Sequence, residues 1–452
     1  MDDNVFDEID ASINVIWVST TAYLVFFMQT GFSFLEAGNI RFKNIQNVLV
    51  KNLLSVTLGT IIYWLVSFGF SFGDSNDFIG TNYFASDGME AKGLFPLWLF
   101  HWAFACVCTT IVSGATAERI NIFPYIVISL FMTGWIYPVA VHWNWGKGFL
   151  YQWGFKDFAG GGNVHLVGGI SGLILNLMLG PRKGRFLRKS EEEFIPNNIG
   201  YIVLGSFILW LGWYGFNCGS TLSAVGVNSG LIGKIGMNTT ICGGASALIT
   251  FFMTYVDLRH TSNRFNIPEF CNGLLSGLAS ITSSCNQVEP WAAFVIGLVS
   301  GIVYFVFRKI LLRYKIDDPL SVFPIHCCCG IWALVANGFF NIYSGVFYGY
   351  GGHFFGIQIV GAVLFCCWSS FWTLVIVLPF KMLNILRISE SEEEIGNDLS
   401  KHGGYAFLLD FDKVRGLDDN ENPIKVTMME EIKKRKNNDL KNEANLNMQG
   451  EK

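Results

Sequence analysis

Charged side chains are scarce over most of this 452-residue chain. Only 15% of it is Asp, Glu, Lys or Arg, and 26 of these lie in the last 68 positions. Residues 1–384 therefore have too little charge to cover a water-exposed surface, and their long apolar runs read as an all-α polytopic membrane protein. The formal net charge of −4 gives no electrostatic footprint for nucleic acid. A Gly-Lys-Ser phosphate loop is missing, and no nucleophile-and-base set points to an enzyme. The first ten residues hold Asp2, Asp3, Asp7, Glu8 and Asp10 but no base, the opposite of a signal-peptide leader. An acidic, exported N-terminus is expected. Disulfide spacing is also missing: Cys106, Cys108, Cys327, Cys328, Cys329, Cys366 and Cys367 sit inside apolar runs, as small hydrophobic packers do.

What is abundant is apolar and small: 51% of residues are hydrophobic, with 41 Phe, 14 Trp and 49 Gly. Apolar stretches of about 17–25 residues, long enough to cross a bilayer, begin near residues 13, 47, 97, 122, 162, 199, 230, 290, 320 and 354. A weaker one, rich in Gly, Ser and Asn, runs from about Pro268 to Cys285. Basic residues cluster at Arg41/Lys43, Arg119, Arg182 to Lys189, Arg259/Arg264, Arg308 to Lys315 and Lys381/Arg387, the expected cytoplasmic loops. Two consecutive basic clusters, at 259–264 and 308–315, need an even number of crossings between them, so the weak span is counted. The expectation is eleven transmembrane helices, N-terminus out and C-terminus in.

The domain reading is a transmembrane domain over 1–384 and a cytoplasmic tail over 385–452. The tail carries Glu392 to Glu394 and Lys433 to Lys436, and it is expected to be disordered after about Asp419.

A repeat locates the site. Asp157, His165, Gly169, Ile170, Leu173 and Asn176 recur 161 residues later as Asp318, His326, Gly330, Ile331, Leu334 and Asn337. In the span count the copies are helices 5 and 10, entering from opposite sides, and inverted repeats place substrate sites near the midplane. Each Asp precedes its apolar run and Pro319 follows Asp318, so both acids read first as helix N-caps. Eight residues from cap to His is about 12 Å of helix rise, which puts both histidines close to mid-membrane. A single buried His would read as a satisfied core residue. Two at equivalent depth point to an ion or proton path. Without a nearby carboxylate or Cys-x-x-Cys they form a poor ligand set, so neither metal nor cofactor is assigned.

At this point the chain resembles the ammonium transporter family (Amt/Mep/Rh), in its Amt branch, over about residues 12–410. The resemblance is carried by WAFACVCTTIVSGATAER at 102–119, DFAGGGNVHLVGGISG at 157–172, GWYGFNCGS at 212–220, DDPLSVFPIHCCCGIWAL at 317–334 and LRISESEEEIGNDLSKHGGYAF at 386–407. It implies an inverted five-plus-five arrangement with an eleventh helix, and a homotrimer with one pore per subunit in the lipid bilayer. It also implies ammonium/ammonia as substrate, with methylammonium as an analogue.

By the same resemblance, Trp145, Phe104 and Ser220 form an outer recruitment site. Phe104 and Phe216 form a stacked gate, and His165 and His326 are the twin histidines below it. Ammonium is recruited and loses a proton below Trp145, and ammonia passes along an apolar pore. The proton returns outside or follows through the His pair, so electroneutral and charge-transferring transport both stay open. Asp157 favours the cation or holds the helix start, with the structural role weighted more. Two positions depart from the pattern: His101 stands where relatives carry Gln, and the Cys327 to Cys329 run replaces other small residues. In the tail, 396–407 resembles a regulatory segment that packs across to a neighbouring subunit, with Ser400 at a phosphorylatable position. A sensor signalling through its tail is the alternative function. The plasma membrane is the default location, an endosomal or vacuolar membrane the alternative.

Overall fold

The computed structural model describes residues 3–407 except 75, 188–193, 229 and 262. The expectations about Asp2, Arg188, Lys189 and the tail beyond Phe407 fall outside the described residues. Ten helices among the described residues are long and apolar enough to cross a membrane. They are α1 (Phe6–Asn39), α2 (Phe42–Phe72), α3 (Phe95–Thr116), α4 (Ile122–Gln152), α5 (Gly161–Leu179), α6 (Ile199–Gly219) and α7 (Leu231–Asp257). After α8 (Ile267–Ile281) come α9 (Pro290–Arg313), α10 (Phe323–Phe340) and α11 (His353–Met382). The protein is a multi-pass, all-helical membrane protein, and its one β-type pairing among the described residues is an isolated bridge between Ile120 and Arg387.

The weak span of the sequence is α8, a helix of 15 residues and thus shorter than the other ten. It is buried along nearly its whole length, from Cys271 to Ile281. Small residues let the neighbouring backbones come close: a Cβ at Gly277 would lie 2.5 Å from the Cys242 carbonyl oxygen, and one at Gly297 would lie 2.4 Å from the same atom. Hydropathy is low because this helix meets protein rather than lipid. The same device joins α1 to α6, where Gly31 and Gly205 each face the other helix's backbone.

One end of the bundle is closed by buried charge. Glu118 is bound by Arg41 and Arg182, and it accepts from Asn44 Nδ2 at 2.9 Å. Arg182 also pairs with Asp317 at 2.8 Å. Two short helices, α12 (Glu390–Ile395) and α13 (Asn397–His402), dock on this end of their own chain. Asn397 donates to the Glu118 carbonyl at 3.0 Å, and the Asp398 carboxylate accepts from the backbone of Gln46 and Asn47, both at 3.0 Å. Ser400 is exposed on α13, and its hydroxyl donates to the Gly396 carbonyl at 2.9 Å.

Candidate functional site

The two repeat copies form a matched pair of buried helix starts. Asp157 Oδ1 accepts from the backbone N–H of Gly160 at 3.2 Å and Gly161 at 2.9 Å, and Oδ2 accepts from Gly162 and Asn163, both at 2.8 Å. These are donors that a helix N-terminus leaves without internal partners. Ser283 donates a further bond to Oδ1 at 2.7 Å. Asp318 Oδ2 accepts from Phe323 N–H at 2.8 Å.

The cap positions differ from the expected ones. The helices begin at Gly161 and Phe323, so each Asp reaches its helix across a short loop, and Pro319 is not the first helical residue. The estimate of 12 Å from cap to His therefore fails, because the loop residues contribute no helix rise. His165 is the fifth residue of α5, and His326 is the fourth of α10. Both lie in a π-helical turn, Gly161–Leu166 and Phe323–Cys328. Such widened turns recur at functional sites.

The copies run antiparallel. Arg119 Nη2 donates to Asn176 Oδ1 and to the Asp317 carbonyl, both at 2.8 Å, tying the end of α5 to the entry of α10. Asn337 Nδ2 donates to the Lys156 carbonyl at 2.8 Å, tying the end of α10 to the entry of α5. The repeated glycines bring the two His turns together. A Cβ at Gly169 would lie 2.3 Å from Cys327 N, and one at Gly330 would lie 2.7 Å from the Gly161 carbonyl oxygen. Backbone atoms cannot move aside as a side chain can, so Gly169→Ala is expected to push the helices apart and cost about 1–3 kcal/mol. A melting curve of the detergent-purified variant checks this, and an unchanged midpoint would contradict it.

As a result His165 Nδ1 and His326 Nδ1 lie 3.2 Å apart, with ring centroids at 5.2 Å. For neutral rings that contact needs one protonated and one bare nitrogen, so the two rings hold different tautomers. His165 Nε2 is buried without a partner. Trp213 stacks on His165 at 5.1 Å and 17°, and is itself held by an indole N–H bond to Thr282 Oγ1 at 3.1 Å. The sequence reading missed Trp213, although it lies three residues before Phe216 and so on the same helical face.

Beyond His165 comes Phe216 at 5.6 Å, which stacks on Phe104 at 3.9 Å and 15°. Both phenyl rings are fully buried. Phe104 meets Trp145 edge-on at 5.8 Å. Trp145 and Ser220 line a cavity of about 800 Å³; Phe104 stands behind its wall. The indole N–H of Trp145 donates to the Asp157 carbonyl at 2.7 Å, so the residue that starts α5 also orients this ring. Ser220 donates to the Phe216 carbonyl at 2.8 Å, leaving its oxygen lone pairs available to a cation.

The structure thus brings Trp145, Phe104, Phe216, His165 and His326 into one continuous series of ring contacts leading inward from an open cavity that Ser220 also lines. Asp157 caps one half of the repeat and Asp318 the other. Ser400 lies elsewhere, on α13. Comparison with known proteins agrees with this architecture. Residues 16–407 match the family model described as Ammonium Transporter Family. "Ammonium transporter 1 member 3" of Solanum lycopersicum is 37% identical over 432 residues, covering 88% of this chain and 93% of that protein. "Ammonium transporter 3" of Dictyostelium discoideum is 37% identical over 415 residues, covering 87% of this chain and 94% of that protein. The solved structure titled "Sensor Amt Protein" superposes with a TM-score of 0.81 at 31% identity, covering 87% of this chain and 99% of that one. With an all-helical fold and a family match spanning nearly all of the described residues, the chain belongs to the Ammonium Transporter Family.

Proposed function

We propose that the protein moves ammonium across its membrane through the ring-lined path, as ammonia below the phenyl pair. The observation that carries this reading is the unbroken sequence of contacts from the cavity through Trp145, Phe104 and Phe216 to the His165–His326 pair. An ammonium ion in the cavity meets the indole face of Trp145 and the Ser220 hydroxyl. Cation–π attraction is worth about 2 kcal/mol or more where water is excluded. Further in, Phe104 and Phe216 stack flush and supply no oxygen ligand for a charge. A charge at membrane depth costs at least about 2.5–3.5 kcal/mol, whereas ammonia carries none. Deprotonation outside the phenyl pair followed by passage of ammonia fits that arrangement. The single hydrogen bond between the histidines offers a route along which a proton can follow.

The chain topology that suits this path is eleven crossings, counting α8, with the N-terminus outside and the Glu118 end in the cytoplasm. A homotrimer is the assembly the family reading implies, with the plasma membrane as the default location and an endosomal or vacuolar membrane as the alternative. Labelled methylammonium uptake in cells lacking their own ammonium transporters tests the function. Wild type is expected to show saturable uptake competed by ammonium, with Trp145→Leu and His165→Ala reducing or altering it at equal surface expression. No wild-type uptake at normal surface expression would overturn the reading.

A second reading, an ammonium sensor, is favoured by two observations: the likeness to the structure titled "Sensor Amt Protein" and the docking of α12 and α13 on the helical bundle. Truncation before Glu390 would then abolish signalling while uptake persists. For Ser400, a phosphate would add about −1.5 to −2 of charge beside the docked α13. Ser400→Asp is expected to loosen that docking and change the uptake rate, and an unchanged rate would contradict a regulatory role.

A further inference from the structure

Two opposite charges lie inside the helical bundle, and the ring path gives them no task. Glu36 on α1 and Lys51, the tenth residue of α2, are both enclosed. An ionisable side chain within a span is costly and reads as functional by default. Lys51 does not snorkel to the interface: its Nζ is buried, has no hydrogen-bond partner and stands over the ring of Tyr125 on α4 at 5.1 Å. Arg119 and Arg182, by contrast, both end on oxygens. Glu36 is the strongest counter-charge acting on Lys51, and Lys51 is the charge acting on Glu36. Arg119 and Glu118 also reach Lys51, but with opposite signs, so Glu36 is left as its partner. The pair is joined to α3. Ser113 Oγ lies 3.1 Å from Glu36 Oε2 and 3.0 Å from the Oδ1 of Asn52, the neighbour of Lys51. One turn earlier, Thr110 donates to Gln29 Oε1 on α1 at 2.7 Å. Elsewhere on its surface α3 meets α5: a Cβ at Gly168 would lie 2.9 Å from the Cys108 carbonyl oxygen, and one at Gly172 would lie 3.1 Å from Ala115 Cβ. Gly168 follows His165 by three residues, and α3 also carries Phe104.

We propose that Glu36 and Lys51 are positioning residues for transport, a pair of opposite charges that draws α1 and α2 together and so fixes α3, the helix that carries Phe104 and backs the His165 turn. This rests on the transport reading above and adds what holds the ring path in register from outside it. Attraction between unlike charges grows as the surroundings become less polar, so an enclosed pair acts over more than hydrogen-bond length. Neutralising one member leaves the other buried without its counter-charge, and the helices relieve that state only by shifting apart or admitting water. Neutralising both removes the attraction and the penalty together. Two side chains that merely fill space behave differently, because their separate losses add.

The test is the concentration dependence of labelled methylammonium uptake, in cells without their own ammonium transporters. Wild type, Glu36→Gln, Lys51→Met and the double variant Glu36→Gln/Lys51→Met are compared at matched surface expression. Gln keeps an acceptor for Ser113 and Met keeps an unbranched chain, so each change removes charge while nearly preserving shape. Each single variant is expected to lower the maximal rate about tenfold, short of the roughly hundredfold that a misplacement of 1 Å can cost. KM should change little, because Trp145 and Ser220 still recruit the cation; a fall in rate at constant KM marks an effect beyond binding. The double variant is expected to recover most of the wild-type rate. A double variant as slow as the two single losses combined would overturn the proposal, as would wild-type rates in both single variants or a raised KM at unchanged rate. If the single variants fail to reach the surface, the double variant decides: surface arrival with near wild-type uptake supports the pair, and retention inside the cell overturns it. Absence of uptake in the wild type would overturn the transport reading itself, a failure visible before any variant is compared.

Discussion

Replacing Asp157 with alanine is expected to abolish uptake and to remove most of the correctly folded protein. The carboxylate accepts four backbone N–H groups at the start of α5, at 2.8 to 3.2 Å, in a fully enclosed position. Each buried donor left unsatisfied costs about 1–3 kcal/mol, so four together approach the whole stability of a typical domain, about 5–15 kcal/mol. The backbone carbonyl of the same residue holds the indole of Trp145. A shift of the α5 start therefore also displaces Trp145 and His165, and a misplacement of about 1 Å can cost a hundredfold in rate. Asp157→Asn keeps one acceptor oxygen and is expected to fall between wild type and alanine. Size-exclusion profiles of detergent-solubilised protein, read beside uptake, check both effects. A monodisperse, fully active alanine variant would contradict them.

The second large effect is expected at Glu118, far from the ring path. Burial alone would raise the carboxyl pKa of Glu118 and Asp317. The guanidinium of Arg182, joined by Arg41 at Glu118 and by Arg119 at Asp317, outweighs it and holds both below the usual carboxylate range. Glu118→Gln leaves Arg41 and Arg182 buried with less counter-charge, and breaking one side of such a pair costs about 3–5 kcal/mol. A clear fall in melting temperature at neutral pH is expected.

The sign of the pH dependence follows from the lowered folded pKa values. The stabilisation is fully present above the ordinary unfolded carboxyl values of about 3.9–4.3. It is lost as pH falls through the depressed folded values. Wild-type melting temperature should thus hold level from neutrality to about pH 5 and drop below that, with a smaller acid drop in Glu118→Gln. Equal acid profiles would show that this cluster does not govern acid stability.

Much of the architecture was legible because membrane spans and repeats are written locally. The apolar runs beginning near residues 13, 47 and 97 correspond to α1, α2 and α3, and the offset of 161 residues pairs the two histidines that the fold brings within 3.2 Å. The repeated glycines were visible as well, and close helix contact could be read from them, but not which backbone each one meets. Only the folded chain shows that Gly169 faces Cys327 and Gly330 faces Gly161 across the two copies.

What the sequence did not reveal depends on partners distant along the chain. Phe158 to Gly160 and Pro319 to Val322 read as parts of apolar helices, yet the chain uses them to bend each Asp back onto its helix start. Glu118 and Asp317 were passed over beside their basic neighbours. Their pairing with Arg182, 64 and 135 residues away, has no local signature. Trp213 was an ordinary member of an aromatic-rich run until the fold set it against His165, whereas His101 already stood out in the sequence as a departure from the family pattern and lies beside Trp145 in the fold.

The most direct measurement of the central claim uses the purified protein alone, reconstituted into liposomes with an outward-to-inward gradient of labelled methylammonium. Saturable entry above protein-free liposomes, competed by ammonium and lost in Trp145→Leu, is the predicted result. Entry no faster than through the bare bilayer, from protein that remains folded and correctly inserted, would contradict the account.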